Sequence, residues 1–204
     1  MKKYDQMSDF EMSVLSEIGN VGAGNAATAL SHILADRVNM SVPDLRILDV
    51  SKMTTLLGGP ENEVVGILVN MDKDVRGMML FLLERRFVCK LIEVLLDEKI
   101  NDFSEISDMG RSAIMEIGNI LAGSYVNAIA TMTNLNIELT TPQIAIDMVG
   151  AILSYPAAQF GSMGDKLLLI EEDFISSEDT IRSHLLIMPE LDSLQTMLES
   201  LGVA

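Results

Sequence analysis

Apolar residues recur at helical spacing from Phe10 to Ala35, through Met12, Leu15, Ile18, Ala26, Leu30 and Ile33, and predict one long amphipathic helix. Ser8 or Asp9 can cap its start, and Glu11 lies in its first turn. From Val38 to Val50 the pattern becomes extended, with a break at Pro43. Ser51 to Gly58 then predicts a short helix that stops at Gly58-Gly59-Pro60. Two strands follow, Val64–Asn70 and Arg76–Leu83, on either side of the polar turn Met71-Asp72-Lys73-Asp74. Helical spacing returns from Glu84 to Leu96 through Phe87, Leu91, Ile92 and Leu95.

The same order then runs again. Ser104 to about Thr133 predicts a second long helix, with Ser104 or Asp102 as cap, and Asn136–Ile146 is extended around Pro142. Asp147–Tyr155 predicts a short helix that Pro156 helps to stop. Lys166–Glu171 and His184–Met188 predict strands, joined through the acidic stretch 172–179, either as a longer hairpin or as a loose loop. Pro189 is placed to start a last helix containing Leu191, Leu194, Met197, Leu198 and Leu201. The expected fold is therefore α+β: a helix-strand-short helix-strand-strand-helix unit used twice, at about 8–98 and 104–203 of one domain spanning 1–204. Its halves should be related by a pseudo-two-fold axis. Helices should cover a mainly antiparallel sheet, with the two long ones side by side on an accessible face.

The duplication is also written in the residues. Glu17-Ile18-Gly19-Asn20 recurs as Glu116-Ile117-Gly118-Asn119; Ser13 recurs as Ser112 and Pro43 as Pro142, each 99 residues on. Ala23/Ala122, Gly24/Gly123, Ala29/Ala128 and Ile47/Ile146 keep the same offset. A period this long points to a pseudo-symmetric domain instead of a solenoid.

Composition narrows the function. The chain has 204 residues, 49% of them apolar and 4% aromatic, with fifteen Met and no Trp, so its core is aliphatic and Met-rich. Thirty acidic residues against fourteen basic ones give a formal charge of −16, which repels phosphate backbones and anionic lipid. Nucleic acid and membrane surfaces are therefore not expected partners. No apolar run reaches the roughly 18 residues of a membrane span and the start turns polar at once, so a cytosolic protein is expected. Cys89 stands alone in an apolar pattern and is expected as a buried, inert thiol. His32 and His184 have no second His at ligand spacing, so neither a metal site nor a nucleophilic triad is indicated.

What remains is a polar face. Ser13, Glu17 and Asn20 are four and three residues apart and share one side of a helix, while Leu15 and Ile18 point to the core. Ser112, Glu116 and Asn119 repeat that face opposite Ile114, Ile117 and Leu121. Interior glycines (Gly19, Gly22, Gly24, Gly118, Gly123) each cost about 1 kcal/mol relative to Ala and suggest close approach by a neighbour. A Glu and an Asn held rigidly lack a nucleophile but can complete a reaction whose reactive groups belong to another protein. The carboxamide can both donate to and accept from water and place it for in-line attack on phosphorus. The carboxylate can clamp a partner's Lys or Arg.

At these residues the sequence resembles the CheC family of bacterial chemotaxis phosphatases. The family pattern is Asp or Ser, three residues, Glu, two residues, Asn, twenty-two residues, Pro. Ser13-Glu17-Asn20-Pro43 and Ser112-Glu116-Asn119-Pro142 both fit it. The resemblance implies hydrolysis of the aspartyl-phosphate on the response regulator CheY, with Asn20 and Asn119 orienting water and Glu17 and Glu116 pairing with a Lys of the regulator. Ser13 and Ser112 would be supportive, and Pro43 and Pro142 structural. It implies no cofactor of the chain's own; the Mg²⁺ would sit on the regulator. Two intact sites favour a monomeric, two-site CheC type over the single-site, dimeric CheX type, and the end at Ala204 leaves no room for the extra domain of the FliY type. The receptor deamidase CheD is a further implied partner, contacting the short helix after the second Pro around Asp147, which could equally be a helix cap. The rival reading is a non-enzymatic adaptor that binds phosphorylated CheY or regulates CheD. A structural flagellar-switch component is a third.

Overall fold

The computed structural model describes residues 4–160, 166–175 and 180–203. Helix α1, Asp9–Leu34, buries Leu15, Ile18, Gly19, Gly22, Ala23, Ala26, Ala27 and Leu30, a stripe at i, i+3 and i+4 that faces the core. Its start is a capping box: the Glu11 amide donates to Ser8 Oγ (3.3 Å), and the Ser8 amide donates to Glu11 Oε2 (2.7 Å). Strands β1 (Asn39–Met40) and β2 (Asp44–Asp49) lead into α2 (Val50–Leu56), then the hairpin of β3 (Glu63–Lys73) and β4 (Gly77–Leu83), then α3 (Arg85–Leu96). The second half gives α4 (Asp108–Thr133), β5 (Ile137–Leu139), β6 (Gln143–Met148), α5 (Val149–Phe160), β7 (Lys166–Ile175), β8 (Thr180–Pro189) and α6 (Leu191–Ser200). Both long helices have 26 residues, and both end on a left-handed residue, Ala35 and Asn134, again 99 apart.

All eight strands form one antiparallel sheet, ordered β1-β7-β8-β4-β3-β5, with β2 also on β7 and β6 also on β3. The order reads the same from either edge once the halves are exchanged. Each half's first strands pair with the hairpin of the other half, so the repeats interlock and neither has a sheet of its own. The register carries the symmetry residue by residue. Ile47 faces Leu168 as Ile146 faces Val65, and Leu45 faces Ile170 as Ile144 faces Ile67. At the centre Phe81 faces Leu185. Each of these has the same hairpin partner relation (Ile67 with Phe81, Ile170 with Leu185), so equivalent residues meet there and the pseudo-two-fold axis passes between them. In an antiparallel pair such an axis stands perpendicular to the sheet.

The central strands are buried on both faces, and their side chains alternate between two cores. Met79, Phe81 and Leu83 join Leu15, Ile18, Ile114, Ile117 and Tyr125 under α1 and α4, with Phe87 and Leu91 of α3 and Leu194 and Met197 of α6. Met78, Leu80 and Leu82 join Met53 and Leu57 at α2 and Val149, Ile152 and Leu153 of α5 on the opposite face. The expectation of a helix-covered antiparallel sheet therefore holds, as does that of adjacent long helices. Helix α4 is also apolar enough, by length and composition, to cross a membrane, contrary to the reading of the sequence; 56% of its most apolar window is buried in the fold, where it serves as a core helix.

Several boundaries differ from expectation for local reasons. Helix α4 starts at Asp108 with Ser107 as its cap, because Phe103–Glu105 turns into a separate 3₁₀ helix whose own cap is Asp102. Pro156 lies inside α5 instead of stopping it; a Pro removes one backbone donor but need not end a helix that packs on a sheet. Pro189 ends β8 opposite Gly77, its carbonyl accepting from the Tyr4 hydroxyl (2.6 Å), and α6 begins two residues later. The β7–β8 hairpin is longer than the sequence suggested, reaching Ile175 and resuming at Thr180, while 176–179 lie outside the described residues. Cys89 is half-buried, and burial pushes its thiol up, away from a reactive thiolate.

Candidate functional site

Both copies of the polar face lie on the outer side of the helix layer. Ser13, Glu17 and Asn20 are exposed on α1, and Ser112, Glu116 and Asn119 are exposed on α4. Beneath them Ile18 and Ile117 are each only 2% exposed, so the helices are fixed by the core while Glu and Asn face solvent. Gly19 and Gly118 bring the helix backbones down onto the sheet. A Cβ on Gly19 would sit 3.3 Å from Ile170 Cδ1, and one on Gly118 would sit 2.5 Å from Ile67 Cγ2. The four letters of the repeated tetrapeptide thus divide: Ile and Gly seat the helix, Glu and Asn project from it. Among the described residues, no hydrogen bond or ion pair engages the side chains of Glu17, Asn20, Glu116 or Asn119. Ser112 Oγ donates to the Asp108 carbonyl within its own helix (3.1 Å).

The helices meet where the axis crosses them. Asn25 Nδ2 donates to the Ser124 carbonyl (3.5 Å), a contact between equivalent positions. The sequence reading did not single out this pair, although the 99-residue offset connects them. Close by, Tyr125 fills the space over Gly22, where a Cβ would lie 2.4 Å from the ring. The offset equates Gly22 with Leu121 and Ala26 with Tyr125, so the duplicated helices have diverged into small residues on α1 and large ones on α4. An axis perpendicular to the sheet makes the helices antiparallel. Asn20 and Asn119 then lie five residues to either side of it, roughly 15–20 Å apart at 1.5 Å per residue and 8–10 Å between helices. The two polar faces are therefore separate on the outer side of the helix layer.

Pro43 and Pro142 stand beside the two faces. Each lies two residues before the strand residue (Leu45, Ile144) whose partner (Ile170, Ile67) packs under Gly19 or Gly118. Pro43 is buried and Pro142 half-buried, each immediately before the first residue of β2 or β6.

Asp147 belongs elsewhere. It is an exposed residue of β6 opposite Val64, and it does not cap α5; its Oδ1 accepts from the Met148 amide (2.7 Å). It borders an apolar cleft of about 260 Å³ with Leu68, Leu80, Ile152 and Tyr155, on the sheet face away from α1 and α4. The sequence-predicted residues therefore form two pairs on one face and a lone carboxylate on the other. Among the described residues, no group of three His, Cys, Asp or Glu side chains is placed to hold a metal ion.

Under the helix crossing lies a polar cluster that the sequence did not reveal. Glu172 of β7 faces Tyr125, and Ser183 is its cross-strand neighbour; all three are buried. Burial raises the Glu172 carboxyl to about 7, partly offset by the Tyr125 hydroxyl. Nothing in the sequence marks this Glu for burial: it opens the acidic stretch 172–179, whose pattern fits a longer hairpin or a loose loop.

Comparison with known proteins agrees with this geometry. A model of the CheC-like family matches residues 10–47 and 109–146, two segments 99 residues apart that each span one polar face and its Pro. The chain is 28% identical to the CheY-P phosphatase CheC of Bacillus subtilis (strain 168), covering the whole of both proteins. It is 27% identical to the flagellar motor switch phosphatase FliY of the same organism over 70% of this chain and 37% of that protein. The solved structure of Thermotoga maritima FliY superposes with a TM-score of 0.76 at 20% identity, covering 96% of this chain and 98% of that one. The FliM middle domain of H. pylori has the same fold, with a TM-score of 0.71 at 13% identity over 95% and 99% of the two chains. The CheC-like family model is thus seated on both copies of the motif, and the chain is similar from end to end to a relative named as a CheY-P phosphatase.

Proposed function

We propose that the chain is a phosphatase for a phosphorylated CheY-type response regulator, acting through two equivalent sites, Glu17/Asn20 and Glu116/Asn119. The observation that carries this reading is the pair of exposed, unengaged Glu/Asn faces on rigid, core-anchored helices, in a chain that aligns along its full length with a CheY-P phosphatase. In each site the Asn carboxamide oxygen accepts from a water while its NH₂ donates to the phosphoryl group or the water oxygen, aligning attack on phosphorus. The bond from phosphorus to the regulator's aspartate oxygen breaks, releasing inorganic phosphate and restoring the carboxylate. The Glu, one turn before, pairs with a Lys of the regulator and sets the approach. The regulator supplies its own Mg²⁺, and the chain needs no cofactor. Ser13 and Ser112 support the faces, and Pro43 and Pro142 fix the chain beside them. A cytosolic monomer fits two sites within one chain, and the deamidase CheD is a second proposed partner, at Asp147 and α5 on the opposite face.

The test is the decay of phosphorylated regulator with the unchanged protein, Asn20→Ala, Asn119→Ala and the double variant. Each single variant should keep the activity of the remaining site, and the double variant should return decay to its intrinsic rate. A double variant as active as the unchanged protein would refute the assignment. Binding of the phosphorylated regulator without faster decay by the unchanged protein would leave the adaptor role in its place.

A further inference from the structure

Seven large hydrophobic side chains are prominently exposed among the described residues: Phe10, Val42, Val94, Met109, Met148, Tyr155 and Ile175. Phe10 (65% exposed) and Met109 (64%) are the one pair among them related by the 99-residue offset that superposes the long helices. Each is the second residue of its helix, following the capping Ser8 or Ser107 by two positions. The apolar residue just before each cap packs away: Met7 lies against the core and Ile106 is 7% exposed. The second helical residue is thus left as an apolar group directed to solvent at a rigid helix end.

The direction is informative. At about 100° per residue, positions 10, 13, 17 and 20 fall within an arc of about 80°, as do 109, 112, 116 and 119. Phe10 and Met109 therefore lie on the faces that carry the Glu/Asn pairs, roughly 10 Å along the helix from Glu and roughly 15 Å from Asn. Singly scattered surface hydrophobics are ordinary. Here the residue has changed between copies, Phe to Met, while size, apolarity, exposure and place beside the polar pair have been retained. Simple descent from a duplicated ancestor would keep the residue or let its character drift.

We infer that Phe10 and Met109 are docking anchors, one per site, that bury themselves in an apolar patch of the phosphorylated regulator about 10–15 Å from its acyl phosphate. The inference rests on the function proposed above and makes these two positioning residues, removed from the reacting atoms. The helices are antiparallel, so the anchors lie at opposite ends of the helix layer and serve separate partners. Each partner is held at two points, the apolar anchor and the Glu–Lys pair, and the anchor contributes equally to the bound and the reacting state.

The experiment compares the unchanged protein with Phe10→Ser/Met109→Ser and, as control, Val94→Ser, an exposed apolar residue on α3. Dephosphorylation is followed against regulator concentration, and binding is titrated with regulator carrying beryllium fluoride in place of the phosphoryl group. The double anchor variant should raise KM and Kd roughly 10- to 100-fold, as expected for losing one buried large apolar side chain per site. Its kcat at saturation should change less than twofold, about the level of assay scatter. Phe10→Met/Met109→Phe should restore binding, and Val94→Ser should behave as the unchanged protein. KM and Kd within about twofold of the unchanged protein for the double Ser variant would overturn the anchors while leaving the phosphatase reading intact. Failure of the unchanged protein to speed dephosphorylation, with the Asn variants equally inert, would instead overturn the reading on which they rest.

Discussion

Replacing Gly22 by Ala tests whether the helix crossing that separates the two polar faces is set by close packing. A Cβ at Gly22 would lie 2.4 Å from Tyr125 Cδ1 and 2.9 Å from Cε1, well inside contact distance. The ring has little freedom to yield, being fully buried with its centroid 6.3 Å from that of Phe81. Overpacking of this kind costs about 1–3 kcal/mol, against which Ala gains about 1 kcal/mol over Gly in a helix interior. The net effect should be a loss of about 0–2 kcal/mol. Gly123 supplies the control, since nothing lies within 4 Å of a Cβ there; Gly123→Ala should gain about 1 kcal/mol from helix propensity alone. Urea denaturation should therefore separate the two variants by about 1–3 kcal/mol, or several degrees in Tm for a chain of this size. Adding Tyr125→Leu to Gly22→Ala should recover part of the loss as a favourable coupling. If Gly22→Ala stabilises the protein as much as Gly123→Ala, the crossing is not held by this contact.

Further outcomes follow from other sites. Glu172 stays protonated in the fold up to about pH 7, whereas in the unfolded chain it ionises near its ordinary value of 4.5, so its contribution favours folding at low pH and is lost as pH rises between those values. Glu172→Gln should therefore raise stability by about 2–4 kcal/mol at pH 8 and by much less at pH 4.5; an equal gain at both would contradict the buried neutral carboxyl. Ser8→Ala and Ser107→Ala should each cost about 1 kcal/mol in thermal or urea melts, while Ser104→Ala, off the helix start, should cost under about 0.5 kcal/mol; the reverse ranking would misplace the second cap. The double variant Glu17→Lys/Glu116→Lys should weaken binding of the phosphorylated regulator about tenfold or more at low salt, and the difference should shrink as salt is added. Unchanged affinity in a direct titration would remove the clamp from the mechanism.

The sequence by itself determined the duplication, the order of the elements and the outward polar faces. Each of these depends on spacing along a single strand or helix: Leu15 and Ile18 against Glu17 and Asn20, or Met78 to Leu83 as an unbroken apolar run, can be read without knowing the neighbours. The offset alone even implies the second cap, since Ser8 maps onto Ser107, although local capping residues at Asp102 and Ser104 drew the expected start too early. Tertiary structure decided which half packs against which. Ile67 and Ile170 serve the opposite half's helix because each hairpin pairs with the other half's first strands, and backbone hydrogen bonding does not record that choice in one sequence. It also decided the separation of the Glu/Asn pairs, which follows from an axis between Phe81 and Leu185 and from Tyr125 lodging over Gly22. Lastly it buried Glu172, the first residue of an acidic stretch, because alternation along β7 turns every second side chain under the long helices. Side-chain period is a local property and sheet pairing a global one, so the sequence could specify the two polar faces but not the scaffold that holds them apart.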